Sequence, residues 1–370
     1  MSSPSPAPSV AAGVAKIRPL GPEDIGHVRA MLAKRDGHAW DERSTAWFLH
    51  GLDPQRCMAW GAFVGDKPVG LTSMFLRTLS VNGGTERVAY WANLYVDPDY
   101  RDQMLYPRLP MTMLTSLKSL GIEMLYAPVR LPQLTKAHLG LGFAKVGAME
   151  VLVRPLRPAR FICKYKRIGW ARPLAGPVDA AFGAVLALTA ARPVAGTRID
   201  DGSIEQRPVE QLEAVAALIG ERSAGRIAQL WSAELLQQRY GQTREGGSYR
   251  LATAWRGDTL QAAAIYRFAE RGDGIQVGVL MDFAFREGAE ADGAAVLRAV
   301  EKATLAAGGE LLLYLDGLGD ANRQLLKRRG FRSSPENYEF LVWPKKLATA
   351  EARFGDWDRW AFSFRDHDAF

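Results

Sequence analysis

The chain of 370 residues is 48% hydrophobic, 24% charged and 10% aromatic, a balance that excludes extensively disordered and collagen-like proteins. Its length suits about two domains, each able to bury a core. Lys+Arg 47 against Asp+Glu 40 gives a formal charge of +7, compatible with nucleic acid, an anionic membrane surface or an anionic ligand such as a nucleotide or CoA.

Met1–Pro8 is Ser/Pro-rich, without a cationic n-region or an apolar h-region, so residues 1–15 are expected to be a disordered lead-in and not a signal peptide. Cys57 and Cys163 lack metal-ligand spacing; neither a disulfide scaffold nor a metal site is expected. A first domain is expected over residues 16–157. It opens with Arg18-Pro19 and an amphipathic helix bearing Ile25, Val28, Met31 and Leu32. The segment Gly37–Asp53 follows, with His38, Glu42 and His50. Two apolar runs, Met58–Val64 and Val69–Leu76, flank the turn dipeptide Gly65-Asp66 and predict a β-hairpin. Next come a strand at Tyr90–Val96, a helix at Leu109–Leu120, a buried strand at Met124–Val129, a further helix ending at Gly142-Phe143, and a closing strand that reaches Leu152–Pro155.

Residues 158–203 read as a linker. Around it Arg157, Arg160, Lys164, Lys166, Arg167 and Arg172 mix with Phe161, Tyr165 and Trp170, and an apolar helix is expected near Val178–Ala191, too short to span a bilayer. Residues 204–346 then repeat the first domain. Arg207-Pro208, Gly257-Asp258, the strand Val279–Phe285, Gly330-Phe331 and the closing Leu341–Pro344 occur in the same order, each 188–192 residues after its counterpart. The order of elements predicts two tandem mixed-sheet α/β domains. Residues 347–370, with Trp357, Trp360, Phe362 and Phe364, are expected to dock on the body as a structural tail.

Asn93-Leu94-Tyr95-Val96-Asp97-Pro98-Asp99-Tyr100-Arg101 resembles the fourth strand and the turn into the CoA helix of the GNAT acyltransferase superfamily, and Leu141-Gly142-Phe143 resembles that fold's close. The chain is thus similar to tandem GNAT proteins, some of which act in bacterial envelope lipid or polysaccharide pathways. The resemblance implies an acyl-CoA co-substrate and no permanently bound cofactor. Its pantetheine would pair with the backbone of Leu94, Tyr95 and Val96, and its pyrophosphate would meet the turn Arg101, Asp102, Gln103, Met104, Leu105 and Tyr106 at the start of a helix. The family's glycines in that turn are replaced here by Asp102, Met104 and Tyr106, and in the second copy the turn carries Glu287, Glu290 and Asp292. The superfamily's usual thiolate proton donor falls on His138, four residues before Gly142; its counterpart in the second copy is Leu326, which favours the first domain as the catalytic one. Asn93 and His50 are the further catalytic candidates.

The resulting expectation is an acyl-CoA-dependent N-acyltransferase acting on the amine of a membrane lipid or envelope precursor, for example a sphingoid base. Alternatives are an amino-sugar N-acetyltransferase, a non-catalytic CoA or nucleotide sensor or scaffold, and an aminoacyl-transfer enzyme of the Fem type, whose long helical arm has no counterpart here. The expected location is the cytoplasm, with peripheral contact at the inner face of an anionic membrane. No nucleic-acid partner is expected.

Overall fold

The computed structural model describes residues 13–37, 39–188, 194–241, 248–271, 274–317, 320–348 and 353–366. His38 and most of the expected N-terminal lead-in lie outside the described residues, as does the very end of the tail. The chain divides into two compact units, residues 1–77 with 87–127, and residues 78–86 with 128–370.

The first unit is built from β1 (Lys16–Leu20), α1 (Ile25–Asp36), α2 (Glu42–Phe48), β2 (Cys57–Val64), β3 (Lys67–Val81), β4 (Gly84–Val96), α3 (Leu105–Leu117) and β5 (Leu125–Val129), the tip of the β3–β4 hairpin belonging to the second unit. Its strands run in the order β1-β2-β3-β4-β5. The expected hairpin is β2–β3, turning at Gly65 with φ +59°, a conformation glycine adopts at little cost. Helix α1 buries Val28, Met31 and Leu32, each worth about 1.5–3 kcal/mol once removed from water, and stops where Gly37 takes a left-handed conformation and donates its N–H to Ala33. Helix α3 forms despite two prolines. Pro107 stands in the first turn, where no intrahelical donor is lost, and Pro110 is buried among Leu109, Met113 and Leu114.

The second unit contains α4 (Pro132–Gly140), β6 (Ala144–Pro155), α5 (Pro158–Tyr165), α6 (Arg172–Leu188), β7 (Thr197–Ser203), α7 (Val209–Arg222), β8 (Ala228–Gln229), α8 (Ala233–Tyr240), β9 (Arg250–Arg256), β10 (Thr259–Glu270), β11 (Gln276–Phe285), α9 (Glu290–Ala306), β12 (Leu311–Asp316), α10 (Asp320–Arg328) and β13 (Arg332–Trp343). Its strand order is β13-β6-β12-β11-β10-β9-β7. The predicted hairpin appears as β9–β10 around Gly257, and Gly142 and Gly330, at φ +90° and +89°, end α4 and α10 in the same way. Arg18-Pro19 and Arg207-Pro208 are not equivalent positions, however: the first pair lies inside β1 and the second follows β7.

The closing strands pair with each other. Strand β6, which ends the first copy in sequence, pairs antiparallel with β12 and with β13, both from the second copy. Arg154 at its end forms a buried ion pair with Glu301 of α9 at 2.7 Å, and Arg157 donates to the Leu305 carbonyl at 2.8 Å. Residues 128–157 are therefore packed into the second unit. The exchange is invisible to a repeat search, because both closing strands carry the same apolar pattern and either can satisfy either neighbour.

The linker folds as α5 and α6, the latter starting earlier than expected at Arg172. Asp179 of α6 is buried and accepts the backbone N–H groups of Ala159 and Arg160, so this one carboxylate caps α5. No helix among the described residues is long and apolar enough to cross a membrane. No metal-binding group of His, Cys, Asp and Glu occurs among them.

Candidate active site

In the first unit, β4 and β5 form a parallel ladder only at Ala89↔Leu125 and Tyr90↔Tyr126. Beyond Tyr90, β4 continues to Val96 without that partner, so Leu94, Tyr95 and Val96, all half-buried, lie on the stretch where β4 has left β5. A strand edge of this kind offers backbone groups to an extended ligand. The turn that follows is Pro98–Gln103 in 3-10 form, and Met104 then takes φ +54°, ψ +31° before α3 begins. Met104, where the resemblance implies a glycine, thus adopts a left-handed conformation that glycine favours, with its side chain exposed. The first amides of α3, at Leu105 and Tyr106, have no intrahelical acceptor, and no side chain caps them.

The charges around this turn divide by role. Arg101 and Asp102 are exposed. Gln103 instead faces the chain start: its Oε1 accepts the Ala15 N–H at 2.8 Å and its Nε2 donates to the Gly13 carbonyl. Arg108 donates to the Ala15 carbonyl at 2.9 Å. Gln103 and Arg108 consequently anchor the segment before β1, which leaves Arg101 as the cation directed to solvent beside the α3 start. The corresponding Arg286 of the second copy is committed to the Leu260 carbonyl and to Glu221. Asp292 of the same turn is wholly buried and turned to Arg256 and Thr197.

Asn93 is buried with both ends of its amide occupied. Its Nδ2 donates to Ser73 Oγ at 2.8 Å, and its Oδ1 accepts from Arg35 at 2.9 Å. Its backbone carbonyl accepts from Thr72 Oγ1 and Trp91 Nε1. Both groups of the Asn93 amide are thus engaged by protein partners. Neighbouring Lys34 pairs with buried Asp97, which also accepts the Asp99 N–H. Burial pushes the Asp97 carboxyl up, but Lys34, that amide and Lys67 outweigh it and hold the group below its usual range. Lys34 and Arg35 were not singled out by sequence. As paired cations in the last turn of α1 they carry only the signal of an ordinary helix end. The Tyr95 and Tyr106 hydroxyls are shielded from solvent and lack a hydrogen-bond partner among the described residues. His50, at φ +51°, stands edge-on to Phe75 at 5.2 Å.

His138 belongs to the second unit. It is 7% exposed, and its counterpart Leu326 is 0% exposed, so both helices use this position in the core. The ring stands edge-on to Phe143 and its Nδ1 lies 2.7 Å from the Leu134 carbonyl, which requires a proton on Nδ1. Burial lowers the His138 pKa, the Leu134 bond opposing this only in part. A neutral ring with hydrogen on Nδ1 presents Nε2 as an acceptor.

Residues 27–143 match the Acetyltransferase (GNAT) family. Among curated proteins none matches the chain. Among solved structures, a probable N-acyltransferase from Enterococcus faecalis V583 is similar at 9% identity and TM-score 0.60, over 89% of this chain and 72% of that one. A GCN5-related N-acetyltransferase from Anabaena variabilis is similar at 11% identity and TM-score 0.60, over 88% and 72%. Saccharomyces cerevisiae N-myristoyltransferase with bound myristoyl-CoA is similar at 15% identity and TM-score 0.60, over 92% and 82%. At these identities the likeness is one of fold, and it extends over both copies of the repeat.

Proposed function

We propose that the chain, whose residues 27–143 match the Acetyltransferase (GNAT) family, is an acyl-CoA-dependent N-acyltransferase with its donor site at the β4–β5 separation and the α3 start. The observation that carries this reading is the conjunction of a parallel ladder ending at Tyr90, a capless helix start at Leu105 and a solvent-directed Arg101. The separated strand would pair with pantetheine; Tyr95 on β4 and Tyr106 in the first turn of α3 carry hydroxyls without a hydrogen-bond partner among the described residues. The helix amides and Arg101 would meet the pyrophosphate. In the reaction the acceptor nitrogen bonds to the thioester carbonyl carbon, the C–S bond breaks, the amine gives up a proton and the thiolate takes one. Buried Asn93, bonded to Ser73 and half-buried Arg35, supports β4.

His138 is tested through stability. His138→Leu copies the second copy's own core residue, so the protein should stay folded. Burial lowers the His138 pKa, so the native state binds fewer protons and His138 costs stability as pH falls below 6.5. The leucine variant should lack that loss, read as the urea midpoint against pH; the same acid loss in both proteins would exclude His138 as its source.

The acceptor we favour is a lipid-like amine at an anionic membrane surface. Trp170 is 81% exposed, and Leu174, Tyr165, Val178 and Ile162 are 62%, 57%, 54% and 49% exposed along α5 and α6, with Lys166, Arg167 and Arg172 exposed beside them. Such a mixture suits the boundary between headgroups and acyl chains. Trp170→Asp with Leu174→Asp should reduce sedimentation with phosphatidylglycerol vesicles by tenfold or more and leave solution stability unchanged. Equal binding by the variant would remove the membrane assignment. The whole function is tested by titrating the protein with CoA, acetyl-CoA and palmitoyl-CoA below its micelle concentration, then supplying amines. Palmitoyl preference supports a lipid amine, acetyl preference directs the reading to amino sugars, and binding of none overturns it.

A further inference from the structure

The second unit contains a separation like that between β4 and β5, and the chain itself fills it. Strands β11 and β12 pair in parallel from Val277↔Leu311 to Leu280↔Tyr314 and no further. Into the space beyond Leu280 runs the C-terminal segment. Ile227 donates its N–H to the Arg359 carbonyl at 2.6 Å and accepts the Ala361 N–H at 2.9 Å. Phe362 then donates to the carbonyl of Gly317, the residue that follows β12, at 2.9 Å. On the opposite side Ser363 Oγ donates to the Met281 carbonyl of β11 at 3.1 Å, and Arg365 donates to Asp282 at 2.6 Å. The tail bridges the two strands at the level where they part.

The packing is that of a core. Trp360, Ala361, Phe362, Phe364, Arg365 and Asp366 are each 3% exposed or less. Phe340 of β13 receives Trp357, Trp360 and Phe362 at ring separations of 5.2, 4.6 and 5.4 Å. Two glycines mark how closely the segment fits. A Cβ on Gly317 would lie 2.3 Å from the Phe362 carbonyl oxygen, and one on Gly147 would lie 2.3 Å from the Trp357 ring.

We propose that residues 359–366 act as a built-in peptide ligand that closes the second copy's strand separation to acyl donors, so that each chain takes up one acyl-CoA, at the first copy. The proposal rests on the donor site proposed above for β4 and β5. It accounts for a second copy whose arginine at the turn is already committed and whose helix start is acidic: with the separation filled, the turn has no anion to hold.

Native mass spectrometry of the full chain with palmitoyl-CoA and CoA should give one ligand per chain at saturation. Hydrogen exchange should show the amides of Ala361 and Phe362 as protected as those of β11, with the same protection when palmitoyl-CoA is added. A second specifically bound acyl-CoA, or deprotection of 359–366 on adding it, overturns the proposal. No bound acyl-CoA with a protected tail overturns the donor reading and upholds the closure. Gly317→Val should speed exchange across 359–366 at least tenfold while β11 stays protected; unchanged exchange there would count against the tail's seat. Should that variant fail to fold, the wild-type stoichiometry and exchange still decide.

Discussion

Arg365→Ala is expected to lower the stability of the second unit by about 3–5 kcal/mol, the cost of leaving a buried charge uncompensated. Arg365 is 1% exposed and lies between Asp282 and Asp366, which are 2% and 1% exposed. It donates to Asp282 at 2.6 Å and reaches Asp366 at 3.3 Å, with its guanidinium over the Trp231 ring. Truncation leaves two buried carboxylates without their counter-ion. Against a typical total of about 5–15 kcal/mol this is a large fraction, readable as a shifted midpoint in urea.

The loss should depend on pH in a defined direction. Burial pushes the Asp282 carboxyl above its ordinary value, even with Arg365 pulling it down. A folded-state pKa above the unfolded one contributes stability that is complete below the unfolded value and lost as pH rises through the folded value. Without Arg365 the upward push is stronger. The gap between wild type and Arg365→Ala should therefore be widest at high pH and narrow as pH falls and Asp282 takes up a proton. Asp282→Asn combined with Arg365→Met should recover at least half of the loss, since replacing a buried pair costs far less than breaking it. A gap that does not change with pH would mean that the tail lifts away and hydrates these groups.

The elements that sequence predicted well are those whose determinants are local. The hairpins at Gly65 and Gly257 need only a turn glycine between apolar runs, and α1 needs only the spacing of Val28, Met31 and Leu32. The exchange of β6 was illegible because strand patterning states that a face is buried without stating by whom. The tail was legible as a docking element from its aromatics, but its place beside Met281 and Asp282 depends on contacts across roughly eighty residues of chain, a pairing that local patterning does not encode. At the site, the strand and turn at 93–106 stood out, whereas the division of its cations did not. Arg101 and Arg108 look alike in sequence; only the structure commits Arg108 to the Ala15 carbonyl. Asn93 reads as a polar residue on an apolar strand, and its occupied amide becomes visible only once Arg35 and Ser73 are brought to it.

Arg101→Glu follows from that division and tests the donor site at its most exposed charge. If Arg101 is the cation that meets the pyrophosphate, removing it forfeits a charge-assisted contact of about 1.5–3 kcal/mol, and the glutamate adds repulsion. CoA and acyl-CoA should then bind at least 10-fold and up to about 100-fold more weakly by calorimetry. The weakening should shrink as salt is raised, because the contact is solvent-facing and screened. Arg286→Glu makes the same change at the corresponding residue of the second copy, where the arginine holds Glu221 and the Leu260 carbonyl. It should leave CoA affinity unchanged and cost stability instead. Equal loss of affinity in both variants would indicate a general effect of net charge, and no loss in either would remove the α3 start from the donor site. The pair separates a phosphate contact from a structural ion pair, a distinction that the two arginines' shared place in the repeat conceals.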